Sequence, residues 1–459
     1  MWDAEVDVAI AGAGGCGLIA ALAAADHRLE VAVFEKTDHV LGNTVASAGM
    51  IPAAGTSFQK EHGIYETAEE MAEDIFRKNK YESDPELTIA LCKVSSQLVE
   101  WMSDRLKINL SLVKEFKYPG QRNYRMHAPP SRSGMELMRG LKRNITARSN
   151  IHLLLKSQVT KLITGKNGEV IGVEVKTTNG YQKIKANKVI LATNGFGGNI
   201  DMVKRFIPEI SDSLYFGYEA NTGDGIKMAM AIGADVSNMG AYQGHSAVNQ
   251  ATGVLVTWGT VMMGGFMINE NGIRFGDETK GYSEFAIEVM KQPNQLGYLI
   301  FDEEIYGKLI SIEDFKYLDG VNAFKTSLTI EGLAEQLGVA ETSLSDTFCA
   351  FQKNTNGQSD RYGRTDFPQK LEGPFYGIKV VPALFHTQGG VKINSNAQVM
   401  TEKNIIIKNL YAGGGAAVGI SGNHAYGYMS GNGLLAALGL GKIAGEHAAK
   451  AIKKERIEA

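Results

Sequence analysis

The sequence predicts an α/β protein built on a doubly wound, mostly parallel sheet, and three observations carry that prediction. The chain opens on a strand–turn–helix–strand unit with a glycine signature in its turn. Short apolar strands ending in glycine-rich turns recur near residue 190 and again near residue 410. The stretch between them, roughly 241–364, lacks this alternation. Both ends of the chain are therefore expected to build one sheet, with a second unit inserted between them.

The opening unit is the most specific. Asp7 to Ala11 (DVAIA) is a short apolar run that reads as a buried parallel strand. Gly12, Gly14 and Gly17 follow in the spacing G-x-G-x-x-G, with Gly15 in the same turn. A helix rich in Ala and Leu runs from about Leu18 to Asp26, and a second strand, Glu30 to Phe34, leads into Glu35 and Lys36. In such a unit the first glycine permits a tight turn and the second lets the backbone approach a pyrophosphate. The third lets helix and strand pack closely. The free N–H groups at the helix start face the phosphates, and Glu35 stands where a carboxylate accepts from ribose hydroxyls. No second complete fingerprint follows, so a separate nicotinamide site is not expected.

Composition narrows the class. A chain of 459 residues is long for a single core, and two domains are the expectation. A net charge of −3 leaves no electrostatic footprint for nucleic acid. Cys16, Cys92 and Cys349 are too scattered for a disulfide or metal pattern, so no metal is expected. This cysteine usage suits a reducing cytoplasm. No apolar run approaches the ~20 residues of a membrane span, and no leader is visible ahead of the first strand. A cytoplasmic location is the expectation.

The remaining elements follow in order. Residues 66–110 and 134–148 have helical spacing. Asn179-Gly180 marks a hairpin turn. Lys188 to Thr193 is a buried strand running into Asn194-Gly195, and Thr222-Gly223-Asp224-Gly225 opens a helix reaching Ile232. Asn409 to Ala412 is a strand running into three glycines, and a long helix from about Gly433 to Lys453 closes the pattern.

The stretches DVAIAGAGGCGLIAALAA, VFEK, GNTVASAGM, KVILATNGFGGN, TGDGIKMAMAIGA, NENGIRFGDE, FHTQGGVKIN and NLYAGGG span most of the chain. Together, and in this order, they resemble the flavoprotein family of fumarate reductase, succinate dehydrogenase and 3-oxosteroid dehydrogenases. The resemblance implies a Rossmann-like FAD-binding domain formed by residues 1–240 and 365–459. It also implies an inserted α+β capping domain at 241–364, with substrate held between the two over the flavin. Carried over by position, it implies FAD contacts at Gly12, Gly14, Gly15, Gly17, Glu35, Lys36, Asn43, Thr44, Ser47 and Gly49. Further contacts are implied at Val159, Ala192, Thr193, Asn194, Asp224 and Gly414. The succinate dehydrogenase branch attaches its flavin through a histidine where this chain has Asn43, so FAD is expected to be non-covalent. Gly415 stands where fumarate reductases carry a glutamate contact.

The substrate side departs from fumarate reductase. That branch protonates carbon through an Arg–Glu–Arg relay, and the matching positions here are Tyr282, Trp258 and Val261. The paired carboxylate-clamping arginines are also missing from GISGNHAYGYMSGNGLL. A dicarboxylate would lack its bidentate partners. The pattern is closer to the 3-oxosteroid Δ4-dehydrogenase branch, with a tyrosine after R-F-x-x-E and a Tyr-x-Ser at Tyr428 to Ser430.

The expected activity is α,β-desaturation of a cyclic ketone, by α-proton abstraction and hydride transfer to flavin N5. The ketone oxygen becomes enolate-like and needs donors, while a phenolate can take the proton. Tyr428 is assigned as base, Ser430 as relay and Tyr282 as base support or carbonyl donor. The Gly433 N–H is a further donor. Tyr426 competes with Tyr428, because an extended spacing of two points both side chains the same way.

His245, His386 and Thr257 match substrate-binding positions of fumarate reductases and, with Trp258, are candidate substrate contacts. A keto acid such as 4-oxocyclohexanecarboxylate therefore fits as well as a 3-oxosteroid. Arg122, Arg125, His127 and Arg132 read as a solvated loop touching the FAD edge. The alternative activity is an enoate reductase acting on an unsaturated acid other than fumarate. A third reading is a flavin-binding protein without turnover. The electron acceptor is left open among oxygen, a quinone and a redox protein.

Overall fold

A computed structural model describes residues 1–458. Its first sheet is assembled from both ends of the chain. Five parallel strands lie side by side in the order 406–412, 180–191, 4–11, 31–34 and 151–154. Val31–Phe34 is buried at every position, as a strand covered on both faces must be. The hairpin expected at Asn179-Gly180 is present, joining strand Val170–Thr177 to strand Gly180–Leu191.

The glycine turn is explained by contact distances. Gly12 has φ +103°, a conformation that disfavours any Cβ. A Cβ on Gly17 would stand 1.9 Å from the Gly12 carbonyl oxygen, so the helix Gly15–Ala25 can approach its strand only through glycine. The closing helix, Asn432–Glu458, crosses the same helix equally closely. A Cβ on Gly441 would lie 2.5 Å from the Cys16 oxygen, and one on Gly445 would lie 2.4 Å from the Ala20 oxygen. Cys16 is buried in this contact and burial pushes its thiol up to about 12, so it is a packing residue.

The second sheet is largely antiparallel and carries its own apolar core, which includes Trp258, Phe285, Phe301 and Phe315. Its central strand is Phe375–Thr387, which pairs with Tyr242–Asn249 on one side and Gly297–Asp302 on the other. The inserted unit is therefore not confined to 241–364. Strand Phe375–Thr387, and the short strand Leu214–Tyr215 paired to it, belong to this sheet. This sheet thus draws strands from both sides of the 241–364 stretch.

Gly17→Ala is expected to destabilise the protein by about 1–3 kcal/mol, because the methyl group meets rigid backbone. A thermal melt reads this directly, and an unchanged midpoint would contradict the contact.

Candidate active site

A single cavity of about 480 Å³ runs along the seam between the two sheets. One end is the nucleotide cradle. Gly12, Gly14, Gly15, Glu35, Lys36, Thr44, Ser47, Val159, Ala192, Thr193, Asn194, Asp224 and Gly414 all line it. No atom lies within 4 Å of the place a Gly14 Cβ would take, while a Cβ on Gly15 would meet Thr44 Oγ1 at 2.7 Å. The helix starting there has no side-chain cap, so its first N–H groups are left for an anionic ligand. These features fit a dinucleotide pyrophosphate. Glu35 holds the turn itself, accepting from Ala13 N at 3.0 Å and from Thr37 N at 3.0 Å. Lys36 donates to Asp224 at 2.8 Å. Burial alone would raise the Asp224 carboxyl, but the Lys36 ammonium brings it below its ordinary value.

Two expected cofactor glycines lie outside the cavity lining. Gly17 serves the helix–strand contact, and Gly49, at φ +65°, packs beside the Ser133 oxygen in a turn. Asn43 lines the cavity, but its side chain is also a clasp. It donates to the Phe385 oxygen at 3.0 Å and accepts from Tyr218 N at 2.8 Å and Asn221 Nδ2 at 2.9 Å. Gly415 is required locally, since a Cβ there would meet Asn194 Oδ1 at 2.2 Å.

The other end of the cavity is aromatic. Tyr282 opens the helix Tyr282–Met290, and Tyr428 follows the short turn Ala425–Gly427. Their ring centres are 6.2 Å apart, and both phenols are buried, at 8% and 6% exposure. Tyr118 meets Tyr282 edge-on at 6.4 Å. Burial raises the Tyr282 phenol well above its ordinary value, Tyr428 and Tyr118 push it the same way, and Ser430 opposes them. Burial also raises Tyr428, against which the backbone N–H groups of Gly433 and Gly431 and the Tyr282 hydroxyl act. Ser430, Tyr282, Tyr428 and the Gly433 backbone thus form one contiguous polar patch in an apolar wall.

The pairing of Tyr242–Asn249 with Phe375–Thr387 brings His245 and His386 to this chamber. His245 stacks on Tyr282 at 4.5 Å and on Phe385 at 5.2 Å, and its Nδ1 accepts from Ala247 N at 3.1 Å. Burial lowers His245 to about 3 and His386 to about 4, so both are neutral near pH 7. His386 stands against the start of the last helix, where a Cβ on Gly433 would meet its Nε2 at 2.4 Å. Thr257 lines the chamber, and its Oγ1 accepts from Gly259 N at 3.2 Å. Trp258 also lines it, with a buried Nε1 that has no protein partner.

Two sequence expectations are corrected. Tyr426 does not enter the cavity. Residues Ala425–Gly427 form a 3-10 turn instead of an extended segment, so Tyr426 points outward to donate to Glu82, under Lys80. Arg125 and His127 are not on a solvated loop. Both are buried, Arg125 against Glu66 and Asp74 and His127 against Thr56. Arg122 joins the same cluster through Asp74 at 2.8 Å, while Arg132 lines the cavity and pairs with Glu115. Tyr118 was missed because it lies in a loop with no motif around it.

The cradle and the dry chamber beyond it define an FAD-dependent oxidoreductase acting on CH–CH bonds. The chain belongs to the FAD binding domain family, whose profile matches residues 7–434. It is 32% identical over 448 residues to a probable fumarate reductase, Ifc3, of Shewanella frigidimarina, covering 96% of this chain and 74% of that one. The open conformation of a flavocytochrome c3 fumarate reductase superposes with a TM-score of 0.81 at 30% identity, covering 98% of this chain and 79% of that one. A 3-ketosteroid-Δ4-(5α)-dehydrogenase from Rhodococcus jostii RHA1 has the same fold, with a TM-score of 0.77 at 23% identity and 98% coverage of each chain. Among the described residues no helix is long and apolar enough to cross a membrane, and no group of His, Cys, Asp and Glu is placed to hold a metal.

The lowered histidines set a pH dependence. An unfolded histidine titrates near 6.5, above the folded values of about 3 and about 4, so the unfolded state binds more protons below that pH. Their contribution to stability is complete above pH 6.5 and is lost as pH falls toward 4. His245→Phe is expected to flatten the fall in melting temperature over this interval, and an unchanged slope would contradict the neutral assignment.

Proposed function

We propose that the protein desaturates a cyclic ketone of neutral character at its α,β bond, with FAD bound non-covalently. The supporting observation is the charge inventory of the cavity. Among the described residues the Lys and Arg side chains lining it are Lys36 and Arg132, and each faces a carboxylate, Asp224 and Glu115 respectively. The histidines are neutral. Glu313 and Asp314 line the chamber from the capping side. A dicarboxylate would enter this site without a free cation to bind it, at high desolvation cost. A neutral 3-oxosteroid or cyclohexanone fits better than a keto acid.

When bound, FAD supplies the two-electron acceptor for the CH–CH bond. Tyr428 is the base that takes the α-proton at its phenol oxygen. Burial raises this phenol overall, and the Tyr282 hydroxyl and the backbone N–H groups of Gly433 and Gly431 act against that, lowering the cost of its anionic form. Ser430 supports Tyr282 in turn. The aromatic walls of His245, Trp258 and Phe385 exclude water and orient a flat substrate. The unpartnered Trp258 Nε1 offers one donor to a distal substrate oxygen. The electron acceptor is one of oxygen, a quinone or a redox protein.

A second reading is reduction of an unsaturated acid. It is favoured by the 32% identity to a probable fumarate reductase and disfavoured by the missing cation.

Tyr428→Phe is expected to lower ketone turnover by about 10²-fold or more while FAD binding persists. Steady-state assays with a titration of FAD absorbance separate the two effects. Near-normal turnover would remove Tyr428 from the base role.

A further inference from the structure

The phenol pair has a second opening. Behind it lies a small cavity of about 10 Å³, lined by Tyr282, Tyr428 and Ser430 on the inside and by Lys78, Pro119, Lys280 and Gly281 on the outside. That volume is close to the minimum that holds a single water, and Lys78, Tyr282, Tyr428 and Ser430 put polar side chains in its lining. It is separate from the large chamber, although the two share Tyr282, Tyr428 and Ser430 as a common wall.

The outer wall is built around one side chain. Lys78 Nζ donates to the Lys280 carbonyl at 2.8 Å and to Glu284 Oε2 at 3.1 Å. The Lys78 side chain is 14% exposed and that of Glu284 is 32% exposed, so this pair stands between the small cavity and bulk water. Gly281, at φ +122°, leaves the passage uncovered. A Cβ there would sit 3.9 Å from both Lys78 Nζ and Pro119 Cβ.

We infer that this cavity is a back door through which the phenol pair exchanges its proton with solvent, and that Lys78 is its gate. The inference rests on the tyrosine chemistry proposed above. In desaturation the substrate C–H bond breaks and an O–H bond forms on Tyr428. That proton must leave before the next turnover. A substrate seated in the large chamber covers the front of both phenols, which are themselves almost fully buried. The small cavity reaches the same two phenols from outside the large chamber. The proton passes from the Tyr428 hydroxyl along Tyr282 and Ser430 to the water in the small cavity, and from there past Lys78 to bulk. In the opposite direction the same route delivers a proton to carbon. Glu284 and the Lys280 carbonyl hold the Lys78 side chain at the door. It is a positioning residue and touches no substrate.

Two substitutions at one site test this. Lys78→Met removes the charge and leaves a side chain of similar length, closing the passage with apolar atoms. Lys78→Ala removes the same charge and opens the passage. The FAD-loaded enzyme is mixed in weak buffer with cyclohexanone or a saturated 3-oxosteroid. Alternatively, the photoreduced enzyme is mixed with cyclohexenone or acrylate. A pH-indicator dye follows the proton while flavin absorbance follows the electrons.

In the native protein the two signals coincide. In Lys78→Met the proton is expected to lag the flavin signal by about tenfold or more, with an increased solvent isotope effect on turnover. In Lys78→Ala no lag is expected, and small buffers such as imidazole accelerate the proton further. Equal lags in both variants would show that Lys78 acts through its charge alone and would overturn the gate. Absence of a lag in both would overturn the back door. Tyr428→Phe, run in parallel, distinguishes this from failure of the tyrosine reading. If it reacts like the native protein, or if none of the substrates reacts, the tyrosine reading falls and the back door falls with it.

Discussion

Tyr282 and Tyr428 meet at the seam between two separately packed cores, and the site depends on water being kept from that meeting point. Tyr428 comes from the segment before the last helix, yet it packs into the apolar cluster of the second sheet. Tyr282 begins a helix whose next residues pack under that sheet. Desolvation drives both phenols strongly toward the neutral form. The donors around Tyr428, two backbone N–H groups and one phenol, are then the local means of stabilising a charged oxygen there. The same burial keeps His245 and His386 neutral, and among the described residues the Lys36 and Arg132 side chains lining the cavity each face a carboxylate. The chemistry therefore follows from burial more than from any single residue.

The nucleotide end is governed by backbone approach. Glycines at positions 12, 17, 441 and 445 let two helices and a strand come within distances that no side chain would permit. This contact directs the first helix's N-terminus into the cavity and brings the last helix beside it, so the segment carrying Tyr428 and Gly433 enters the site from a rigid element. Lys36 and Asp224 neutralise one another at the cavity edge, which leaves backbone dipoles as the main attraction for phosphate.

Features local in sequence were legible there. The glycine turn and the hairpin at Asn179-Gly180 depend on neighbours a few residues away, and each is where the spacing put it. Features created by distant pairing were not. The strand Phe375–Thr387 joins the second sheet because it pairs with residues more than a hundred positions earlier, which no local pattern reports. Arg125 is buried because Glu66 and Asp74, on another part of the chain, neutralise it. Tyr426 and Tyr428 look equivalent by spacing, and a single 3-10 turn sends one to the surface and the other to the core. Tyr118 and Lys78 carry no motif, and only the fold places them against the phenol pair.

The central claim is that a cation-free, phenol-lined chamber oxidises a neutral ketone. The most direct test is anaerobic mixing of the FAD-loaded protein with cyclohexanone, a saturated 3-oxosteroid, 4-oxocyclohexanecarboxylate and succinate, following the flavin absorbance. Bleaching by a neutral ketone, with succinate inert, is the predicted result. Bleaching by succinate alone would contradict the account and would mean that a dicarboxylate is bound without the free cation the cavity lacks.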